Sequence, residues 1–270
     1  MTDTIGFIGA GNMAGAIIHG ILKNKVAGPG RVAVYDVNPE KTAAFAKEGV
    51  LVQSSLSALA GCSTILFLAV KPQNYPEVLS ALGQESGFGS GEKIVVSIAA
   101  GISTAYIKRF LGDGCKVVRA MPNTPLLLGE GATALCDVEP VTEEDFQTVR
   151  HIFEAGGIVE VLPEDKMNAV ISVNGSSPAY VYLFSKAVQE GARSQGIDPE
   201  TAKNLFAQTL IGSAKMLTDS GKTPDELITM VSSKGGTTIA ALEALYEGGL
   251  VPMVEQAMER CTKRAEELGK

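Results

Sequence analysis

The chain has 270 residues, 45% of them hydrophobic, a length that suits two domains and an apolar content that excludes a disordered chain. Its formal net charge of -7 speaks against wrapping nucleic acid or coating an anionic membrane surface, and is read as solubility. Cys62, Cys115, Cys136 and Cys261 are scattered with no C-x-x-C pair, so neither zinc ligation nor a disulfide framework is expected and no metal site is assigned.

No basic leader with an apolar run precedes the first strand signal at Thr4, and no apolar stretch is long enough to span a bilayer. The expectation is a cytoplasmic, full-length, mature chain. Residues 4–8 form a short apolar strand ending in glycines. Helical spacing follows over 12–25, with Ile17, Ile18, Ile21 and Leu22 on one stripe. A second strand covers 31–36, and Asn38-Pro39 starts a helix with Asn as cap. Residues 50–53 and 64–70 are further strands, the latter almost wholly apolar, as a parallel strand covered on both faces would be. Pro72 opens another helix. Strands follow at 93–99 and 116–120, and those at 131–136 and 158–162 flank a helix beginning near Thr142. Strands alternating with helices at this spacing predict an α/β, Rossmann-type doubly wound, mostly parallel sheet over residues 1–162, although periodicity leaves the ligand class open.

From 163 to 270 the spacing is helical throughout, with Pro163-Glu164-Asp165 at the boundary. Helices are expected at 166–174, 178–195, 199–219, 224–231, 237–246 and 251–267, giving a C-terminal all-helical domain. Residues 172–177 and 232–238 punctuate two junctions. The apolar faces of this half suit a twofold homodimer that shares helices, or else a self-contained bundle.

Residues 5–14 contain Gly9, Gly11 and Ala14 in the pattern G-x-G-x-x-A, preceded by a strand and followed by a helix. Gly9 permits the tight turn, Gly11 leaves room for a pyrophosphate, and Ala14 lets the helix pack on the sheet. The helix start then offers free N–H groups to an anion. Asp36, ending the second strand, suits a ribose diol and would repel a 2′-phosphate, with Lys41 the nearest cation; this leans towards NADH or dual use if the carboxylate faces the ribose. Two proline-stiffened loops, Ala69-Val70-Lys71-Pro72-Gln73 and Met121-Pro122-Asn123-Thr124-Pro125, follow strands at the edge where open α/β sheets bind ligands. They suit holding a nicotinamide and its ribose, and equally suit ending strands.

Oxidising an alcohol needs a general base, yet the two histidines, His19 and His151, fall in predicted helices away from these loops. Lys71 is the remaining candidate there. An imine asks less, because its nitrogen is readily protonated and the carbon then accepts hydride directly. The segment 232–238 (SSKGGTT) lies ahead of a helix. Its amides could cradle a carboxylate and its threonines could reach a ring nitrogen, though on the residues alone it is first of all a helix start and flexible joint.

Six separate motifs in order bring these readings together: GFIGAGNMA at 6–14, FLAVKPQ at 67–73, SIAAGIS at 97–103, RAMPNTP at 119–125, NGSSPAYVY at 174–182 and SSKGGTTIAAL at 232–242. Over essentially its whole length the chain resembles the pyrroline-5-carboxylate reductases. The resemblance implies NADPH- or NADH-dependent reduction of L-1-pyrroline-5-carboxylate to L-proline by a homodimer that can assemble as far as a decamer. It implies that Gly9, Gly11, Asn12, Met13 and Asp36 bind the cofactor, with Ala69, Val70, Lys71, Pro72, Met121, Pro122 and Asn123 facing its nicotinamide half. Ser233, Gly235, Gly236 and Thr237 would bind the substrate carboxylate, and Thr238 would bind the ring nitrogen as the catalytic group. Three positions depart from the family pattern. Lys234 replaces a frequent proline, the stretch before Pro178 reads Gly175-Ser176-Ser177 with a serine where glycine is usual, and no asparagine aligns near Ser55-Leu56 to meet the adenosine ribose. The competing readings are a reductase of another cyclic imine, a 3-hydroxyacid dehydrogenase using a lysine such as Lys166, Lys186 or Lys203, and a cofactor-binding sensor without turnover.

Overall fold

The computed structural model describes residues 3–269. Residues 1, 2 and 270, which belong to the expected domain spans, lie outside the described residues. Eight strands form one sheet: β1 (Ile5–Ile8), β2 (Val32–Tyr35), β3 (Leu51–Val52), β4 (Ile65–Leu68), β5 (Ile94–Ser97), β6 (Lys116–Met121), β7 (Gly131–Val138) and β8 (Gly157–Val161). Their order is β3-β2-β1-β4-β5-β6-β7-β8, parallel throughout except for the β6–β7 pair. The order reverses at β1/β4, where a doubly wound sheet opens a crevice at the strands' carboxyl ends.

Alternation along each strand explains why both faces are covered. Ile65 and Phe67 of β4 join one core while Leu66 and Leu68 join the other. The first core is closed by α1 (Asn12–Lys23) and α6 (Glu143–Glu154), through Ile17, Ile18 and Ile21 and through Phe146, Val149, Ile152 and Phe153. The second is closed by α3 (Leu56–Cys62), α4 (Tyr75–Leu82) and α5 (Thr104–Leu111), through Leu59, Leu79, Leu82, Ile107 and Leu111. α2 (Ala43–Lys47) buries only Phe45, in the first core. Phe7 and Phe67 stack across β1 and β4 with ring centroids 4.5 Å apart.

The expected strands are all present, each within a few residues of its predicted ends. Asn38-Pro39 and Pro72 each begin a single 3-10 turn, Pro39–Lys41 and Pro72–Asn74, before the α-helix proper. α3 and α5 are short and went unassigned in the sequence reading. Each is announced by a serine cap, Ser55 accepting from the Ala58 N–H at 3.1 Å and Ser103 from the Tyr106 N–H at 3.1 Å.

The helix expected over 166–174 is a correction. The segment is a 3-10 turn at Glu164–Lys166 followed by a π-helical turn at Ile171–Gly175. Asn174 is drawn inward to hydrogen-bond backbone carbonyls of the sheet, which widens the turn. Beyond it lie α7 (Ser177–Ser194), α8 (Pro199–Asp219), α9 (Pro224–Met230), α10 (Thr237–Glu247) and α11 (Leu250–Leu268), close to the expected helices.

By its contacts the chain divides into one unit of residues 1–178 with 259–270, and a second of residues 179–258. The first division falls later than the expected 162/163. Met167 and Ile171 bury against Met121, Ala134 and Cys136, so the segment after β8 belongs to the sheet's unit. The end of α11 returns to that unit through Ala265. In the second unit α7, α9 and α10 contain no buried residue and α8 buries only Ala202.

Candidate active site

The glycine loop sits where β1, β2 and β4 end side by side. Gly9 donates its N–H to the Tyr35 carbonyl at 2.7 Å, and Ala69 donates to Ile8 at 2.9 Å. Gly9 has φ +99, and a Cβ there would stand 2.7 Å from the Ala69 carbonyl oxygen, so this position demands glycine. Gly11 is different. Its φ of -79 suits any residue, and a Cβ on it would meet nothing within 4 Å. Gly11 caps α1 without a side-chain hydrogen bond, and no acidic residue occupies the first turn, leaving the Asn12 and Met13 amides to an anion. Open space before an uncapped helix start fits a dinucleotide's pyrophosphate.

Asp36 is tied into this loop. Its Oδ2 accepts from the Ala10 N–H at 2.8 Å and its Oδ1 from the Asn38 N–H at 2.9 Å, with the Lys41 ammonium 3.7 Å from Oδ2. Asp36 therefore fixes the glycine loop to the end of β2 whatever else it binds.

Ala69, Val70, Lys71 and Pro72 follow β4 at the same edge, with Lys71 exposed. A buried tyrosine without a sequence signal supports them. The Tyr75 hydroxyl reaches the Leu68 carbonyl at 3.0 Å and the Ser97 hydroxyl at 2.9 Å, clamping the ends of β4 and β5.

Met121 ends β6, Pro122 and Asn123 follow it, and all three are buried. Asn123 Oδ1 accepts from the Ala132 N–H at 2.9 Å, and its Nδ2 donates to the Asn174 carbonyl at 3.2 Å. Asn174 Nδ2 donates to the carbonyls of Met121, at 2.7 Å, and Ala132, at 2.8 Å. The two asparagines thus lock the loop, and the loop's backbone is what it has left to present. Asn174 and Tyr75 carried no periodic signal, because their partners are distant in sequence.

In the second unit, Ser233, Gly235 and Thr237 are exposed, and Gly236 and Thr238 are half-buried. Gly235 has φ +69, and the Gly236 N–H closes a turn onto the Ser233 carbonyl at 2.8 Å. A Cβ on Gly236 would stand 2.9 Å from that carbonyl oxygen, so the turn requires both glycines. Gly236 then caps α10, again with no side-chain cap and no acid in the first turn. Thr209, Thr218 and Thr229 spend their hydroxyls on helix carbonyls one turn back. The hydroxyls of Thr237 and Thr238, at the start of α10, have no preceding turn to bond and make no hydrogen bond among the described residues. Like the start of α1, this is a glycine-entered helix start without a side-chain cap, offered together with two free hydroxyls and the cation of Lys234.

Other chemistry finds little support. His19 is exposed and 3.2 Å from Glu48, and His151 lies exposed on α6. Lys166, Lys186 and Lys203 sit in exposed ion pairs with Asp165, Glu190 and Glu200. Burial pushes the thiols of Cys115 and Cys136 up to about 12, which leaves them protonated and poor nucleophiles.

Comparison with known proteins gives the family. Residues 164–268 match the family described as pyrroline-5-carboxylate reductase dimerisation, and residues 4–101 match that described as NADP oxidoreductase, coenzyme F420-dependent. The pyrroline-5-carboxylate reductase of Escherichia coli is 40% identical over 271 residues, covering 100% of both chains. Pyrroline-5-carboxylate reductase 3 of Danio rerio is 38% identical, covering 98% of this chain and 91% of its own. The Coxiella burnetii enzyme structure superposes with a TM-score of 0.91 at 34% identity, covering 100% of both chains. That of the Plasmodium falciparum enzyme with NADP bound gives 0.91 at 29% identity, covering 100% of this chain and 99% of its own. Full-length relatives at this identity place the chain in one family: it belongs to the pyrroline-5-carboxylate reductases, oxidoreductases that use NAD(P)H to make proline.

Proposed function

We infer that this chain reduces the C=N bond of L-1-pyrroline-5-carboxylate to L-proline, the last step of proline biosynthesis, with NADPH or NADH. The observation that carries the reading is a pair of acid-free α-helix starts with glycine at the cap position, Gly11 and Gly236, one for a dinucleotide and one for a substrate carboxylate. The NADP of the Plasmodium relative supports a nicotinamide dinucleotide at the glycine loop.

In this reading Gly11 leaves the pyrophosphate its space, and the amides of Asn12 and Met13 hold it. Asp36 meets the adenosine ribose. Ala69, Val70, Lys71 and Pro72, with Met121, Pro122 and Asn123, line the nicotinamide half on loops that Tyr75 and Asn174 keep rigid. Ser233, Gly235, Gly236 and Thr237 hold the substrate carboxylate. The Thr238 hydroxyl, both donor and acceptor, holds the protonated ring nitrogen so that the carbon beside it is fixed for attack. The bound cofactor supplies the hydride. The proton is already on nitrogen, so no strong acid or base is asked of the protein.

Residues 1–162 then act as the dinucleotide-binding domain and 163–270 as the dimerisation and substrate-binding domain. The match of 164–268 to a dimerisation family supports self-association as a homodimer, which can assemble as far as a decamer. No helix among the described residues is long and apolar enough to cross a membrane. The proposed setting is cytoplasmic, with a small-molecule substrate and neither nucleic acid nor membrane as partner.

The test is oxidation of reduced cofactor followed by absorbance, with and without pyrroline-5-carboxylate. Substrate-dependent oxidation is expected. Thr238→Ala should lower kcat by ~10-fold or more, the worth of one positioned hydrogen bond to a reacting group. A folded protein that binds cofactor but never turns over this substrate would defeat the reading.

A further inference from the structure

We propose that this chain selects NADH over NADPH, and that Asp36 together with the closed turn at residues 38–42 makes the selection. The proposal rests on the reductase reading above and deepens it, since family membership leaves the choice of dinucleotide open.

The two cofactors differ only at the adenosine 2′ position. A hydroxyl there is a donor that needs an acceptor, whereas a phosphate is an anion that needs donors or cations. From Asn38 to Thr42 the turn after β2 has no N–H to spare for a phosphate. The Asn38 N–H is given to Asp36 Oδ1 at 2.9 Å, and Pro39 has none. The Glu40 N–H is given to the Asn38 side chain at 3.0 Å. The N–H groups of Lys41 and Thr42 are given to the carbonyls of Asn38 and Pro39, both at 3.2 Å, and the Thr42 hydroxyl also goes to Pro39 at 2.9 Å. On the neighbouring strand's loop, the Ser55 hydroxyl is occupied with the Ala58 N–H.

Cations are equally committed. No arginine lies between Asp36 and Thr42, and Lys41 already leans on the Asp36 carboxylate at 3.7 Å. Glu40, exposed beside it, adds a charge of the wrong sign for a phosphate. The side chain of Val37 is 87% exposed and purely apolar.

What the turn offers instead is acceptor capacity. A carboxylate has about four acceptor sites, and Asp36 uses one on each oxygen for Ala10 and Asn38, leaving others for ribose hydroxyls. Because the Ala10 bond fixes the carboxylate to the glycine loop, it cannot swing away to admit a 2′-phosphate without loosening the pyrophosphate site.

The test is the Kd of NADH and of NADPH for the full chain, measured by calorimetry because the protein has no tryptophan to report binding. NADH should bind about 10-fold more tightly or better. Asp36→Asn, which keeps an acceptor for the Ala10 N–H and removes the charge, should narrow that ratio by about 10-fold. Val37→Arg adds a cation at a position too exposed to disturb folding and should tighten NADPH alone. It also decides the matter if the Asp36 variant does not fold. Tighter binding of NADPH by the unaltered chain, or a ratio that neither variant moves, would overturn the proposal. Binding of neither nucleotide would overturn the reductase reading itself, and the selectivity with it.

Discussion

A side chain at Gly9 has no room, because the Ala69 carbonyl stands where its Cβ would be and the backbone already has φ +99. A side chain at Gly11 meets open space and an ordinary extended backbone. The first glycine is therefore required by the fold, the second by whatever fills the space before it. Gly11→Val should leave stability within about 0.5 kcal/mol by urea unfolding while weakening dinucleotide binding by about 100-fold or more. Unaltered affinity in that variant would remove the loop from the cofactor site. Both glycines were legible from the sequence as one motif. Their separate duties were not, since the Ala69 carbonyl that crowds Gly9 belongs to another strand's loop.

Among the elements, the π-helical turn at Ile171–Gly175 has the most to do for its length. Asn174 donates to two backbone carbonyls, Met121 and Ala132, and its own carbonyl receives Asn123. Asn174→Ala would remove the amide that both carbonyls receive. It should cost about 2 kcal/mol or more, read as a lower urea midpoint with an unchanged slope. No loss of stability would mean that water replaces the amide there. The sequence spacing over this stretch predicts a plain helix, and the strands and long helices around it were found correctly because each advertises a period. A turn held by one side chain reaching a strand 53 residues earlier has no period to advertise. The same reason hid Tyr75, whose phenol is spent on β4 and β5, within a segment that showed only a proline-started helix. The glycine–threonine turn is different. Its glycines and threonines are contiguous, so the motif was visible entire, although the residues alone could not tell a carboxylate cradle from a joint.

On the scale of the whole molecule, the second unit is the part a single chain leaves unfinished. α7 runs 18 residues without a buried side chain, and Val181, Tyr182, Leu183 and Phe184 are all exposed in succession. Apolar residues on every side of one helix call for cover on every side. A second copy would supply it. Leu183→Asp should then weaken self-association by about 10-fold or more, seen as a shift towards monomer in sedimentation at micromolar concentration. An unaltered dimer would place the interface away from α7.

The sheet meets the opposite difficulty at its two borders, where backbone groups face outward with no strand to pair them. β3 is only two residues long and offers almost no template. β8 is longer and carries exposed Ile158 and Val161, but Glu160 is exposed between them. A like strand from another molecule docking there would bring carboxylates together and strip them of water. A wide sheet is what lets one chain spread a dinucleotide across several strand ends. The short border and the charged one allow that width at the concentrations of a working enzyme without inviting growth into fibres.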